Sequence, residues 1–345
     1  MPSIDTYPLA HFENQRPILI IGAGGIVRDA HLPAYKKAGF SIFGIVDIVK
    51  DRADMLAKQY QIPNVFSNVS EAVTQAPANT VYDMALNPDQ QLGILKMLPD
   101  HSSVLLQKPF GTSLEAAKVL AKVCNEKKLT AAVNFQLRFA PFVEAARQLI
   151  NSGVAGEIYD MEVRLTTHTP WQNFPALATE DRLEILYHSI HYLDLIRSFF
   201  GEPESVFARS FGHPSKPFSS TRSTILLDYG KHLRAVINTN HDHDFGPEHQ
   251  ESFIKWEGTK GAIKGRIGVL LDYPTGLPDA LEYCTFDENG KPEWKNHDLT
   301  GNWFPDAFIK TMSQFINFSG GADDKLESTI DDALKTMELV EKCFR

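Results

Sequence analysis

Apolar residues in the first third of the chain fall in short unbroken runs. Ile18–Ile21, Ile42–Val46, Thr80–Ala85, Ser103–Leu106 and Thr130–Asn134 are dominated by Ile, Val, Leu, Ala and Phe. Runs of this length and kind predict strands buried on both faces. Between them, Ala30–Ala38, Arg52–Tyr60, Gln90–Leu98 and Leu114–Glu126 carry helical patterns. Strand and helix in regular turn imply a parallel sheet with helices on both faces.

The pattern changes after Asn134. A helix is predicted from about Pro141 to Asn151, then a long alternating strand over Glu157–Thr167. Ser205–Phe211, Ser223–Tyr229, Leu233–Thr239 and Glu251–Trp256 also read as strands, several joined by short turns. Hairpin-like succession of this sort builds a largely antiparallel sheet. One helix, about Leu183–Phe200, interrupts the series, and a last one covers Ser328–Phe344. The expected division is residues 1–134, 135–327 and 328–345, the final helix packing back on the first domain. Residues through His11 and Phe12 read as a loose arm.

The first strand runs directly into Gly22-Ala23-Gly24-Gly25-Ile26-Val27. Gly22 permits a tight turn, and Gly24 lets a pyrophosphate approach the backbone with no side chain in the way. Free N–H groups at the following helix start face the negative charge. Asp47 closes the next apolar run, 25 positions after Gly22, where a carboxylate accepts hydrogen bonds from an adenosine ribose. Val27 stands where a third glycine or an alanine is usual. Strand, turn, helix, second strand and terminal acid in order point to dinucleotide binding. The fold class is therefore α/β: an N-terminal Rossmann domain, then an α+β domain on an open, largely antiparallel sheet.

At 345 residues the chain suits two domains, and its 43% hydrophobic content suffices for packed interiors. A formal charge of −9 with no dense Lys/Arg stripe argues against nucleic-acid binding. No secretory signal and no run of about 18 apolar residues stands out, which predicts neither export nor a membrane span. Cys124, Cys284 and Cys343 are odd in number and far apart, as expected of reduced thiols in the cytosol.

Three segments carry candidate chemistry. Gln107-Lys108-Pro109 ends the presumed fifth strand, and ligands of open α/β sheets collect at the carboxyl ends of strands. There the Lys108 ammonium either stabilises a forming alkoxide or is merely solvated. On the helix Leu183–Phe200, Tyr187 and His191 lie four apart on one face, and Asp194 three further on can orient the imidazole. A histidine so placed accepts a hydroxyl proton as hydride leaves the same carbon, unless all three are satisfied structural positions. His241, His243 and His249 raise a metal question, but their spacing is not a specific zinc pattern, and no metal is expected. Trp171, Trp256 and Trp303 can stack on sugar faces or fill the core. Arg138, just past the last parallel strand, contacts a substrate or pairs with a carboxylate.

Taken together, Gly22–Ile26 with His31-Leu32-Pro33, Lys108-Pro109, Asn134–Pro141, His191-Tyr192-Leu193-Asp194 and Glu257-Gly258-Thr259-Lys260-Gly261 resemble the Gfo/Idh/MocA oxidoreductases over almost the whole length. The resemblance implies NAD- or NADP-linked oxidation or reduction of sugars and polyols, with hydride passing between a hydroxyl carbon and the nicotinamide. It implies a homo-oligomer built through the second sheet. Lys108 matches the lysine of the family's Glu-Lys-Pro motif, and His191 matches its acid/base histidine. Gln107 replaces the usual glutamate, and Tyr187 stands where many members have aspartate, leaving a phenol as the proton relay. Cofactor contacts are expected from Gly22, Ala23, Gly24, Gly25, Ile26, Val27, Asp47, Leu86, Asn87, Gln107 and Lys108. Substrate contacts are expected from Lys108, Gln136, Arg138, Trp171, His188 and His191. The substrate hydroxyl is expected between Lys108 and His191. NAD is preferred over NADP because Asp47 repels a 2′-phosphate. Two alternatives remain open: a cofactor-bound sensor without turnover, and an NAD-assisted elimination or glycoside cleavage without net reduction.

Overall fold

The computed structural model describes residues 15–173 and 177–345, so the expected arm through His11 and Phe12 lies outside the described residues. In chain order the first elements are β1 (Ile18–Ile21), a π-helical turn (Val27–His31) and α1 (Leu32–Ala38). There follow β2 (Ile42–Val46), α2 (Lys50–Tyr60), β3 (Asn64–Phe66), α3 (Val69–Gln75), β4 (Val81–Met84) and α4 (Gln91–Met97). β5 (Ser103–Leu106), α5 (Leu114–Glu126) and β6 (Thr130–Val133) complete this part. The rest comprises α6 (Pro141–Asn151), β7 (Ile158–Thr166), a second π-helical turn (Glu184–Ser189) and α7 (Ile190–Phe200). After it come β8 (Ser205–Phe211), β9 (Arg222–Asp228), β10 (Arg234–Asn240), β11 (Glu251–Gly258) and β12 (Ala262–Arg266). β13 (Ala280–Phe286), β14 (Pro292–His297), α8 (Trp303–Ser319) and α9 (Ile330–Lys342) end the chain.

Two compact units result. The first unites residues up to Gln136 with Pro305–Glu338; the second holds Leu137–Phe304 and Leu339–Arg345. This differs from the expected 135–327 domain, because residues 305–338 return to the first sheet. Thr329 bridges Ala132 beside β6, the Val133 N–H donates to Ser328 O at 2.9 Å, and Phe308 packs on His31 at 5.0 Å between centroids.

The first unit is built on a six-stranded sheet in the order β3-β2-β1-β4-β5-β6. Every pairing in it is parallel. β1, β4 and β5 are buried at every position, which is why these runs do not alternate. Helix ends follow local chemistry: Ser113 caps α5 by accepting from the Ala116 N–H at 3.2 Å, and Gly39 ends α1 in the left-handed region at φ 71°.

The second unit carries an eight-stranded sheet ordered β14-β13-β12-β11-β7-β10-β9-β8. All its pairings are antiparallel except β7 with β10. On one face Met161, Val163, Leu165, Ile225, Leu227, Ile237, Ile254 and Trp256 are fully or almost fully buried. Their alternate neighbours point the other way, as a half-buried sheet requires. Burying each such side chain contributes about 1.5–3 kcal/mol.

Candidate active site

In the first unit the parallel order brings the candidate residues to one edge. Backbone hydrogen bonds continue each ladder past its last strand residue: Gly22 N–H to Val46 O, Asp47 N–H to Phe66 O, Ala85 N–H to Ile21 O, Gln107 N–H to Met84 O, and Asn134 N–H to Leu106 O. Gly22, Asp47, Ala85, Gln107 and Asn134 therefore stand in a row at the carboxyl ends of the strands, with Leu86, Asn87 and Lys108 just beyond. The chain reverses at the β1/β4 switch point, where ligands of such sheets bind.

Gly22 adopts φ 107°, and a Cβ there would meet Ala85 O at 2.5 Å. At Gly24 a Cβ would meet nothing within 4 Å. The space a side chain would fill is open above the helix start, as a pyrophosphate cradle requires. Asp47 ties the turn together: Oδ2 accepts from the Ala23 N–H and Oδ1 from the Val49 N–H, both at 2.7 Å. These residues fit an adenine dinucleotide. Gln91, which no sequence signal marked, clamps the loop after β5. Its amide donates to Gln107 O (2.7 Å) and Pro109 O (3.1 Å) and accepts from the Gly111 N–H. The Lys108–Pro109 peptide is cis. Desolvation lowers the Lys108 amine from the ordinary 10.5 to about 8.

Behind this edge lies a buried polar cluster. Asp83, a carboxylate inside a fully buried strand, accepts from the Tyr35 hydroxyl (2.8 Å) and lies 2.7 Å from His31 Nδ1. His31 Nε2 in turn lies 3.3 Å from Gln107 Nε2. Asp83 in Val81-Tyr82-Asp83-Met84 was the legible signal, since a carboxylate there demands partners.

In the second unit the expected continuous helix Leu183–Phe200 is split. Residues Glu184–Ser189 form a π turn before α7 begins at Ile190. The five-residue register places the Ser189 hydroxyl against the Glu184 carboxylate, at 2.8 and 3.0 Å. Such turns are frequent at functional sites. Tyr187 lies in the π turn and His191 in the first turn of α7, on either side of the change of register. Tyr187 packs on the Trp171–Leu183–Phe218 cluster, whereas His191, 8% exposed, meets the Trp303 ring at 5.5 Å and 88°.

Asp194, expected to orient His191, has a buried arginine as a partner. It binds Arg138 through two hydrogen bonds of 2.6 Å, both side chains being buried. Of the two readings of Arg138, the carboxylate pair is the one observed. Trp256 is fully buried against Phe199 and belongs to the core. Gln136 is buried in the first unit, its Oε1 without a hydrogen-bond partner among the described residues.

Around Trp171 the second unit gathers a polar and aromatic wall. The indole contacts His188, Phe218 and His241, with centroids 5.7, 4.9 and 6.0 Å away, and its N–H donates to Asp242 Oδ1 at 3.1 Å. Asp242 also accepts from Thr221 Oγ1 and from Lys216 Nζ. Burial pulls Lys216 down, but Asp244 and Asp242 outweigh it and hold the ammonium above its ordinary range; Lys216 and His168 in turn lower Asp244. Beside this wall opens a cavity of about 590 Å³ that Trp171, Gln172, Lys216, Phe218 and His243 help to line.

The three histidines of the metal question are dispersed. His241 lies 3.2 Å from Thr169 Oγ1 and 3.5 Å from the buried Glu184, His243 packs on Phe245, and His249 is exposed in a short turn. Among the described residues no group of three or more His, Cys, Asp or Glu side chains is arranged to hold a metal ion. Glu184, invisible as a functional residue in the sequence, is with Asp242 a buried carboxylate of this wall. The thiols are buried, and desolvation pushes Cys124 and Cys343 up to about 12, so neither is an activated nucleophile.

Residues 16–135 match the family described as "Oxidoreductase family, NAD-binding Rossmann fold", and residues 143–264 match the "GFO/IDH/MocA C-terminal domain". The chain belongs to the Gfo/Idh/MocA oxidoreductases. It is 25% identical over 246 residues to D-apiose dehydrogenase of Rhizobium rhizogenes, covering 69% of this chain and 70% of that one. It is also 25% identical over 224 residues to 2,7-anhydro-N-acetylneuraminate hydratase of Escherichia coli, covering 62% of this chain and 58% of that protein. The fold is that of an Agrobacterium radiobacter oxidoreductase solved with NAD+, L-tartaric acid and magnesium, at TM-score 0.78, 21% identity and 95% coverage of both chains. Among the described residues no helix is long and apolar enough to cross a membrane.

Proposed function

We propose that this protein is an NAD-dependent dehydrogenase acting on a hydroxyl carbon of a sugar or polyol. The observation that carries the reading is Lys108. It follows the end of β5, at the same edge of the sheet as the glycine turn and Asp47, and its amine is desolvated to a pKa of about 8. A cation so tuned supplies charge to an oxygen that becomes negative as a hydroxyl carbon gives up hydride. Bound nicotinamide supplies the hydride acceptor. His191 takes the hydroxyl proton, and Tyr187 relays it through a phenol that is neutral near pH 7.

The glycine turn, Ala23, Gly25, Ile26 and Val27 hold the pyrophosphate side of the cofactor, and Asp47 selects NAD by repelling a 2′-phosphate. Leu86, Asn87, Gln107 and Lys108 line its course along the strand ends. Trp171, His188 and Gln136 recognise substrate. A wall that combines aromatic faces with a few convergent polar groups suits a hydroxyl-rich ring. The name of the Rhizobium relative, a dehydrogenase of the sugar apiose, supports this class. The protein is proposed to work in the cytoplasm as a homo-oligomer. Phe207, Phe211, Phe286 and Trp294, exposed on the open face of the second sheet, support association through that face.

The similarity to a hydratase favours a second reading, in which a transient oxidation permits elimination and the cofactor returns unchanged. Incubating the protein with NAD and a panel of sugars and polyols separates the two. Accumulating NADH supports the dehydrogenase; altered sugar without NADH supports elimination.

A further inference from the structure

We propose that His31 and Gln107 are positioning residues that hold Lys108 through one directional hydrogen-bond chain, with His31 as the neutral Nδ1–H tautomer. The inference rests on the role given to Lys108 above, and every member of the chain lies in the first unit.

The direction is set by the one donor that cannot rotate. The Lys108 backbone N–H points at Gln107 Oε1 at 2.9 Å, so the amide oxygen must be the acceptor there. The Gln107 NH₂ group is then the end that faces His31 Nε2 at 3.3 Å. A donor facing Nε2 requires a lone pair on that nitrogen. The ring proton must therefore sit on Nδ1, where Asp83 Oδ2 accepts it at 2.7 Å. The opposite arrangement, with a proton on Nε2, would turn the Gln107 amide and set its NH₂ against the Lys108 N–H.

Two neighbours lock the histidine end. Tyr35 donates its hydroxyl to the same Asp83 oxygen at 2.8 Å, and burial together with Asp83 keeps that phenol protonated far above its ordinary range. The Phe308 ring covers the imidazole, which is fully buried. At the other end Gln91 fixes the carbonyls of Gln107 and Pro109, and the Lys108 N–H is a further handle on the segment's orientation. Buried polar chains of this kind specify one geometry when every member is satisfied.

The chain also accounts for glutamine at 107. A glutamate accepts the Lys108 N–H equally well, but its second oxygen meets the Nε2 lone pair unless His31 gains a proton. Gln107→Glu is thus expected to make His31 an imidazolium between two carboxylates. The net charge of Asp83, His31 and residue 107 is unchanged by that exchange.

Multiple-bond ¹H–¹⁵N correlation on full-length protein labelled at histidine reads the tautomer directly. The His31 signal is assigned by its loss in His31→Gln or, if that variant does not fold, by its through-space contacts to the Phe308 ring. The wild type is expected to show Nδ1 protonated and Nε2 bare, and Gln107→Glu to show both protonated. Hydrogen exchange of the Lys108 amide supplies the second readout. It is expected to be slow in the wild type, at least tenfold faster in Gln107→Leu, and slow again in Gln107→Glu. A wild-type imidazolium or Nε2–H tautomer, or a Lys108 amide equally slow in Gln107→Leu, overturns the proposal. Neither readout requires turnover, so a failed dehydrogenase assay leaves this result standing by itself.

Discussion

Arg138 grips Asp194 through two 2.6 Å hydrogen bonds, and this buried pair ties the segment after β6 to the middle of α7. The carboxylate nearest His191 in sequence is thereby committed to a structural task. Removing one partner leaves an uncompensated buried charge, which costs about 3–5 kcal/mol. Asp194→Ala and Arg138→Ala are each expected to lower stability by that amount in urea unfolding. A loss below about 1 kcal/mol in both, the range of a surface pair, would show that the pair is not buried in solution.

The lowered amine of Lys108 gives a pH dependence with a definite sign. Its charged form is present below about 8 and lost above it, so the charge offered to the substrate oxygen falls as pH rises. A plot of kcat/KM against pH is expected to decline on the alkaline side near 8, and Lys108→Arg to move that decline upward, since a guanidinium keeps its proton. Stability runs the other way. The folded protein binds fewer protons than the unfolded chain between about 8 and 10.5, so this group makes stability rise with pH across that window. An alkaline limb unmoved in Lys108→Arg would assign it to another group.

Asp47 holds the glycine turn, and under the proposed function it repels a phosphate at the ribose. Asp47→Ala is expected to narrow the preference for NAD over NADP by about tenfold or more in fluorescence titration of both cofactors. Some loss of NAD affinity accompanies it, because the Ala23 and Val49 N–H groups lose their acceptor. Tighter binding of NADP by the wild type would overturn the assignment.

Much of the first unit was legible because its strands are continuous apolar runs, and the glycine turn with Asp47 emerged at the strand ends as read. β3, of only three residues, and α3 escaped notice, since short elements carry little periodicity. β12, β13 and β14 were missed because Gly265, Glu293 and Lys295 fall at positions in register with the covered face and break the apolar alternation. The register change at Glu184–Ser189 leaves no mark in the sequence, which reads as one continuous helix. The pairing of Asp194 with Arg138 was not legible, because tertiary structure, not proximity in sequence, brings Arg138 to it.

The proposed function assigns the chemistry to Lys108 and His191 and the holding of the cofactor to the glycine turn and Asp47. NADH formation should therefore be followed by absorbance over a panel of sugars and polyols, in wild type, Lys108→Ala and His191→Ala, alongside NAD titrations of all three. The expected result is turnover by the wild type, a loss of about 10²–10⁴-fold in each variant, and NAD affinity little changed. Full activity in both purified variants would contradict the claim.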